Sequence, residues 1–128
     1  MPIANPLIQT GPLGSVELSP RVVSALAARV SAECYGVAGM AARGLRDGIA
    51  ELLNRENVER GIELRIEEQG IGVDLFIVVE HGVRILEVAH NLMSAVGYSL
   101  HHNLGVRVLD VNVNVQGIRA PQSTAGMA

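Results

Sequence analysis

The chain has 128 residues, ten basic against thirteen acidic, giving a formal charge of −3, with one Phe, two Tyr and no Trp. A chain of this length folds as one domain that buries roughly two-thirds of its unfolded surface. All ten basic residues are Arg, which removes the Lys of Schiff-base and phosphate-loop chemistry, and neither scattered cations nor sparse aromatics make a nucleic-acid surface. No apolar run approaches the about 20 residues that cross a bilayer, so direct membrane insertion is not expected. A single Cys34 and the lack of a signal-like opening point to the reducing cytoplasm.

Residues 1–12 hold three prolines and no periodicity, which predicts a flexible arm. Ser15 to Leu18 reads as a short edge strand. Ser19 is a natural N-cap with Pro20 at the first helical position, and Val22, Val23, Leu26, Ala27, Val30 and Cys34 recur at helical spacing. Tyr35-Gly36-Val37-Ala38-Gly39 should break that helix. A second, shorter one is expected near Leu45 with Ile49, Leu52 and Leu53 on one face, then a polar loop from Asn54 to Gly61.

Ile62, Leu64 and Ile66 alternate with Glu63, Arg65 and Glu67, the pattern of a half-buried strand. Gln69-Gly70-Ile71-Gly72 supplies a turn, and the return strand, Val73 to Glu80, puts Val73, Leu75, Ile77 and Val79 toward a core. After His81-Gly82 the spacing predicts the main helix over Val83 to Leu104, with Ile85, Ala89, Leu92, Met93, Val96 and Leu100 in one sector. Val106 to Ile118 is the final strand. From Leu109 onward, Leu109, Val111, Val113 and Val115 alternate with Asp110, Asn112, Asn114 and Gln116.

The expected fold is a single α+β domain with a mixed three- to four-stranded sheet, helices packed on one face, and element order β-α-α-β-β-α-β. A strand, helix, strand connection makes the last strand parallel to Val73–Glu80. The domain should occupy residues 13–118, with a flexible tail over 119–128.

Chemistry-bearing constellations fall away one by one. His90 and His101 share a helical face, but eleven residues of rise separate them by about 16 Å, too far for one ion. Gly97-Tyr98-Ser99-Leu100-His101 lacks the second glycine and the strand-to-helix turn of a nucleophile elbow. Cys34 lies on the apolar stripe, and no acid–base pair emerges. No cofactor, no metal and no enzymatic activity are expected. The spacing of Gly36-Val37-Ala38-Gly39 matches the loop with which KH domains clamp RNA, so a KH-like RNA-binding module is the alternative function, against which the apolar centre and acidic chain weigh.

The polar sheet face should show Glu63, Arg65, Glu67, Asp74, Asp110, Asn112, Asn114 and Gln116 around an apolar pair, Phe76 and Val78. Apolar residues in the middle of a polar face mark protein contacts. Phe76, Val78, Asn112 and Asn114 are therefore the candidate interface.

Four runs, GSVELSPRVVSALAARVSAECYGVAGM, GIELRI, VDLFIVVEHGVRILEV and VRVLDVNVNVQGI, together resemble the alkaline shock protein family of bacterial stress proteins, from Gly14 to Ile118. The GVAGM break, the EHGVRI junction and the VNVNVQG ending are the most characteristic pieces. The resemblance implies a small non-enzymatic cytoplasmic domain linked to cell-envelope or alkaline stress or to lipid homeostasis. It further implies a homo-oligomer that binds another protein, in some members a membrane anchor that recruits it to the inner face of the membrane. Many members carry long charged tails rich in lysine, which this chain lacks.

Overall fold

A computed structural model describes residues 5–42, 53 and 58–120. In chain order these form β1 (Ile8–Gly11), β2 (Gly14–Glu17), α1 (Pro20–Glu33), β3 (Val37–Met40), a 3-10 turn (Val58–Gly61), β4 (Ile62–Glu67), β5 (Gly70–Glu80), α2 (Ile85–Leu104) and β6 (Val108–Arg119). The α+β class and the mixed sheet are as the sequence predicts. The element order differs, because a strand stands where the helix break was expected and the N-terminal region holds a hairpin. The helix expected near Leu45 falls outside the described residues.

β5 is the centre of the main sheet. β6 pairs with it in parallel along its full length. On the other margin β4 runs antiparallel against Gly70–Leu75 and β3 antiparallel against Ile77–Val79, so the two short strands lie end to end. Ile71, Val73, Leu75, Ile77 and Val79 are each 0% exposed on one face of β5. They meet Val88, Leu92, Val96 and Leu100 of α2 and Val23, Ala27 and Ala28 of α1 in one core cluster. Each large aliphatic chain so buried contributes about 1.5–3 kcal/mol, offset largely by conformational entropy.

The caps explain where the helices begin and end. Ser19 Oγ accepts from the Arg21 N–H at 3.1 Å, and Pro20 follows at a position whose N–H needs no helical partner. Gly105, in the left-handed region, closes α2 by donating its N–H to His101 O at 2.9 Å.

Five expectations are corrected. Residues 8–11 of the supposed arm are strand β1, paired with β2 from Ile8↔Glu17 to Gly11↔Gly14; Leu7 is 1% exposed in the core, and Leu18 N–H donates to its carbonyl at 2.8 Å. Prolines hid this hairpin because the tight turn at Pro12-Leu13 uses one of them. On α1 the buried face is rotated: Ala28 and Ser31 are inside while Val22 is 48% exposed. Ser31 is satisfied internally, its Oγ donating to Ala27 O at 2.7 Å.

Val37–Met40 is strand β3, held by Glu80 N–H to Gly36 O at 2.8 Å and Ala41 N–H to Phe76 O at 2.8 Å. Gly36 to Gly39 therefore form no GXXG loop to clamp RNA, which disfavours the KH-like alternative. The β4–β5 turn is tighter than expected, since Glu67 already pairs with Gly70. The alternation in β6 is not faultless either: the register slips between Val108 and Asp110 and again between Val115 and Gly117, so Leu109 and Gln116 are extra residues.

Candidate interaction face

The face of the sheet opposite the helices is organised by one arginine. Arg65 on β4 lies directly across from Gly72 on β5, and Gly72 from Asp110 on β6. A Cβ at position 72 would sit 2.4 to 2.6 Å from three atoms of the Arg65 guanidinium. Glycine is thus what lets the side chain cross the central strand and reach the third one.

There the Arg65 Nη2 donates to Asp110 Oδ1 and, at 3.1 Å, to Asp74 Oδ1, while Nε donates to Asp74 Oδ2 at 3.2 Å. Glu67 adds a third carboxylate at 3.7 Å. The hydrogen bond to Asp110, and next that to Asp74, raise the Arg65 pKa well above the ordinary guanidinium value. Asn112 Nδ2 donates to Asp74 Oδ1 at 2.8 Å and joins the same network. Among the described residues three carboxylates thus gather around one cation.

At the other end Arg119 Nε donates to Glu80 Oε1 at 3.0 Å, and Nη2 to Oε2, a bidentate pair that raises the Arg119 pKa. Of the sequence-chosen residues, Phe76, Val78 and Asn114 lie between the two charged ends, and Asn112 belongs to the first of them. Phe76 is half-buried, and Asn112 is exposed. Asn114 is half-buried and donates Nδ2 to Leu75 O at 3.3 Å. Val78 is 4% exposed, yet it stands outside the core cluster, as its position on this face requires. The structure therefore brings all four onto one surface, with Val78 beneath it rather than on it. Gln116, expected on the same face, is the extra residue of a bulge, and its Oε1 is buried without a hydrogen-bond partner.

The sequence reading missed the Arg65–Asp74–Asp110 network. All three residues were expected on this face; the missing signal was Gly72, taken as a turn residue when it is the bed for a guanidinium. Cys34 is half-buried, its Sγ donates to Val30 O at 3.4 Å, and burial, then Glu33, push its pKa up, away from thiolate reactivity. Among the described residues no group of three metal-ligating side chains assembles, and no described helix is long and apolar enough to cross a membrane.

The class of protein is a small α+β domain, a mixed sheet roofed by helices on one side with an ion-paired opposite face. The chain belongs to the alkaline shock protein 23 family, which is described as having a cell envelope-related function and which matches residues 9–120. It is 38% identical over 107 residues to the uncharacterized protein YloU of Bacillus subtilis (strain 168), covering 83% of this chain and 89% of that protein. It is 36% identical over 107 residues to the uncharacterized protein Spy1614 of Streptococcus pyogenes serotype M6, covering 83% and 88%, and 30% identical over 108 residues to YqhY of Bacillus subtilis (strain 168), covering 84% and 78%. Among solved structures it is similar to a variant of the MamM CTD at TM-score 0.47 and 16% identity, covering 81% of this chain and all of that one.

Proposed function

We infer that the domain is a non-enzymatic, self-associating protein-interaction module of the cell-envelope or alkaline stress response, or of lipid homeostasis. It acts from the cytoplasm, recruited to the inner face of the membrane by a membrane-anchored protein partner. The observation that carries this reading is the face opposite the helices, where half-buried Phe76 sits between two ion-paired ends and exposed Asn112 borders it from the first. A rigid surface with an aromatic at its centre and fixed charge at its margins is suited to holding another polypeptide. Arg65 and Arg119 are held more firmly charged and Cys34 more firmly neutral, none of which prepares an acid, a base or a nucleophile.

Light scattering and envelope fractionation of the wild type, Phe76→Asp and Asn112→Arg test the reading. Wild type should assemble and co-fractionate with the membrane, and both variants should weaken one or both behaviours at least about tenfold, the loss of about 1.4 kcal/mol. Asn112→Arg keeps the test decisive should Phe76→Asp unfold. Monomeric wild type that leaves the membrane fraction empty sinks the reading.

A further inference from the structure

Among the described residues β6 is bonded along one margin only. β5 occupies its inner margin from Val108 to Arg119, and no described strand occupies the outer one. Long open margins are usually blunted by Pro, Lys or bulges; β6 contains no Pro or Lys, and its two bulges, at Leu109 and Gln116, leave Asp110 to Val115 uninterrupted between them. Ladder bonds at its two ends, Ile71 N–H to Arg107 O at 2.9 Å and His81 N–H to Arg119 O at 3.0 Å, fix which main-chain groups face β5. Because a parallel ladder uses alternate residues, and with both register slips counted, the main-chain groups of Val111, Val113, Val115 and Ile118 point outward. Val115 and Ile118 are also exposed through their side chains, at 36% and 54%.

We propose that this margin takes a second copy of the chain, antiparallel to the first about a two-fold axis through Asn114. That register sets Asp110 opposite Arg119 of the second copy at both ends, so opposite charges meet twice. Between them Val113 meets Val115 of the second copy, Val111 meets Ile118 and Asn112 meets Gly117. The bulge at Gln116 absorbs the odd residue, so each pair lies on one face of the joined sheet. A shift by one residue would set valines against the polar face and lose both charge pairs. Ile118 of the second copy then enters the open groove of about 500 Å³ between α2 and β6, which Met93, Gly97, Val108 and Val111 line. The two sheets become one, and the two Phe76 surfaces lie on the same side of it.

The seam rests on the reading of the chain as self-associating but makes no use of Phe76. Sedimentation equilibrium of the full chain should give a two-chain mass. Val113→Pro, which removes an outward N–H and leaves the β5 ladder intact, should give one chain with an unchanged circular dichroism spectrum.

Register is read by disulfide formation in a Cys34→Ala background. Asn114→Cys faces itself across the axis at a Cα separation of about 4.5 Å, within disulfide reach, and should cross-link at least roughly tenfold faster than Asn112→Cys. A one-chain wild type, a Val113→Pro variant that keeps the two-chain mass, or equal cross-linking at the two positions overturns the seam. Val113→Pro staying paired while Phe76→Asp comes apart would reject the seam and leave the front-face reading standing.

Discussion

Along one margin of β5 the chain lays two short strands, β3 and β4, end to end; along the other it lays β6, a single strand of twelve residues. The first margin is interrupted where Ala41 and Gly61 come together, and Leu53 N–H donates to Met40 O at 2.9 Å beside the break. The second is one unbroken strand with a bulge near each end, and valines and an isoleucine occupy its outward positions. An interrupted margin offers a visiting strand few consecutive partners, whereas a continuous one offers a full ladder. Among the described residues the sheet thus ends in a broken edge on one side and in one long strand on the other.

The largest expected effect comes from breaking the strand that both margins share. Leu75→Ala removes a 0% exposed side chain from the core and should cost about 3 kcal/mol by urea unfolding. Gly61→Ala targets the interrupted margin alone: its Cβ would sit 2.8 Å from Ala41 O and 2.9 Å from Met40 Cβ, neither of which can swing aside. About 2 kcal/mol of lost stability with unchanged assembly would confirm that the junction closes the sheet without joining copies.

Arg65→Lys should cost less, about 1 kcal/mol after discounting a side chain that is 34% exposed, because an ammonium cannot fork between Asp74 and Asp110. High salt should shrink that difference. The smallest effect is at Cys34. Its folded pKa is raised, so the stability it contributes is complete below the ordinary thiol pKa and declines as pH rises through the raised value. Thermal unfolding of Cys34→Ala should therefore fall less steeply than wild type at alkaline pH.

The long elements were legible because their periods are long. β5, α2 and β6 each repeat apolar residues enough times to declare period 2 or 3.6, and the caps at Ser19 and Gly105 mark the helix ends. β3 was not legible, since its four residues include Gly39 and a strand that short shows no period. Its pairing with β5 is a tertiary fact. The bulges at Leu109 and Gln116 were equally hidden, because register depends on the neighbour and not on the strand. At the interaction face the period of two told which side of the sheet Phe76, Val78, Asn112 and Asn114 occupy, but not that Val78 would be sealed while Phe76 stayed half open.

The meeting of Ala41 with Gly61 has a further consequence for the chain. Because the chain leaves the sheet and re-enters it at the same point, whatever lies between is tied at both ends by contacts already made, and lengthening it adds only about 0.6 kcal/mol of closure entropy per doubling. Leu53 fastens the excursion at a third point, half-buried against the core with its N–H on Met40 O, so the closure does not rest on its two ends alone.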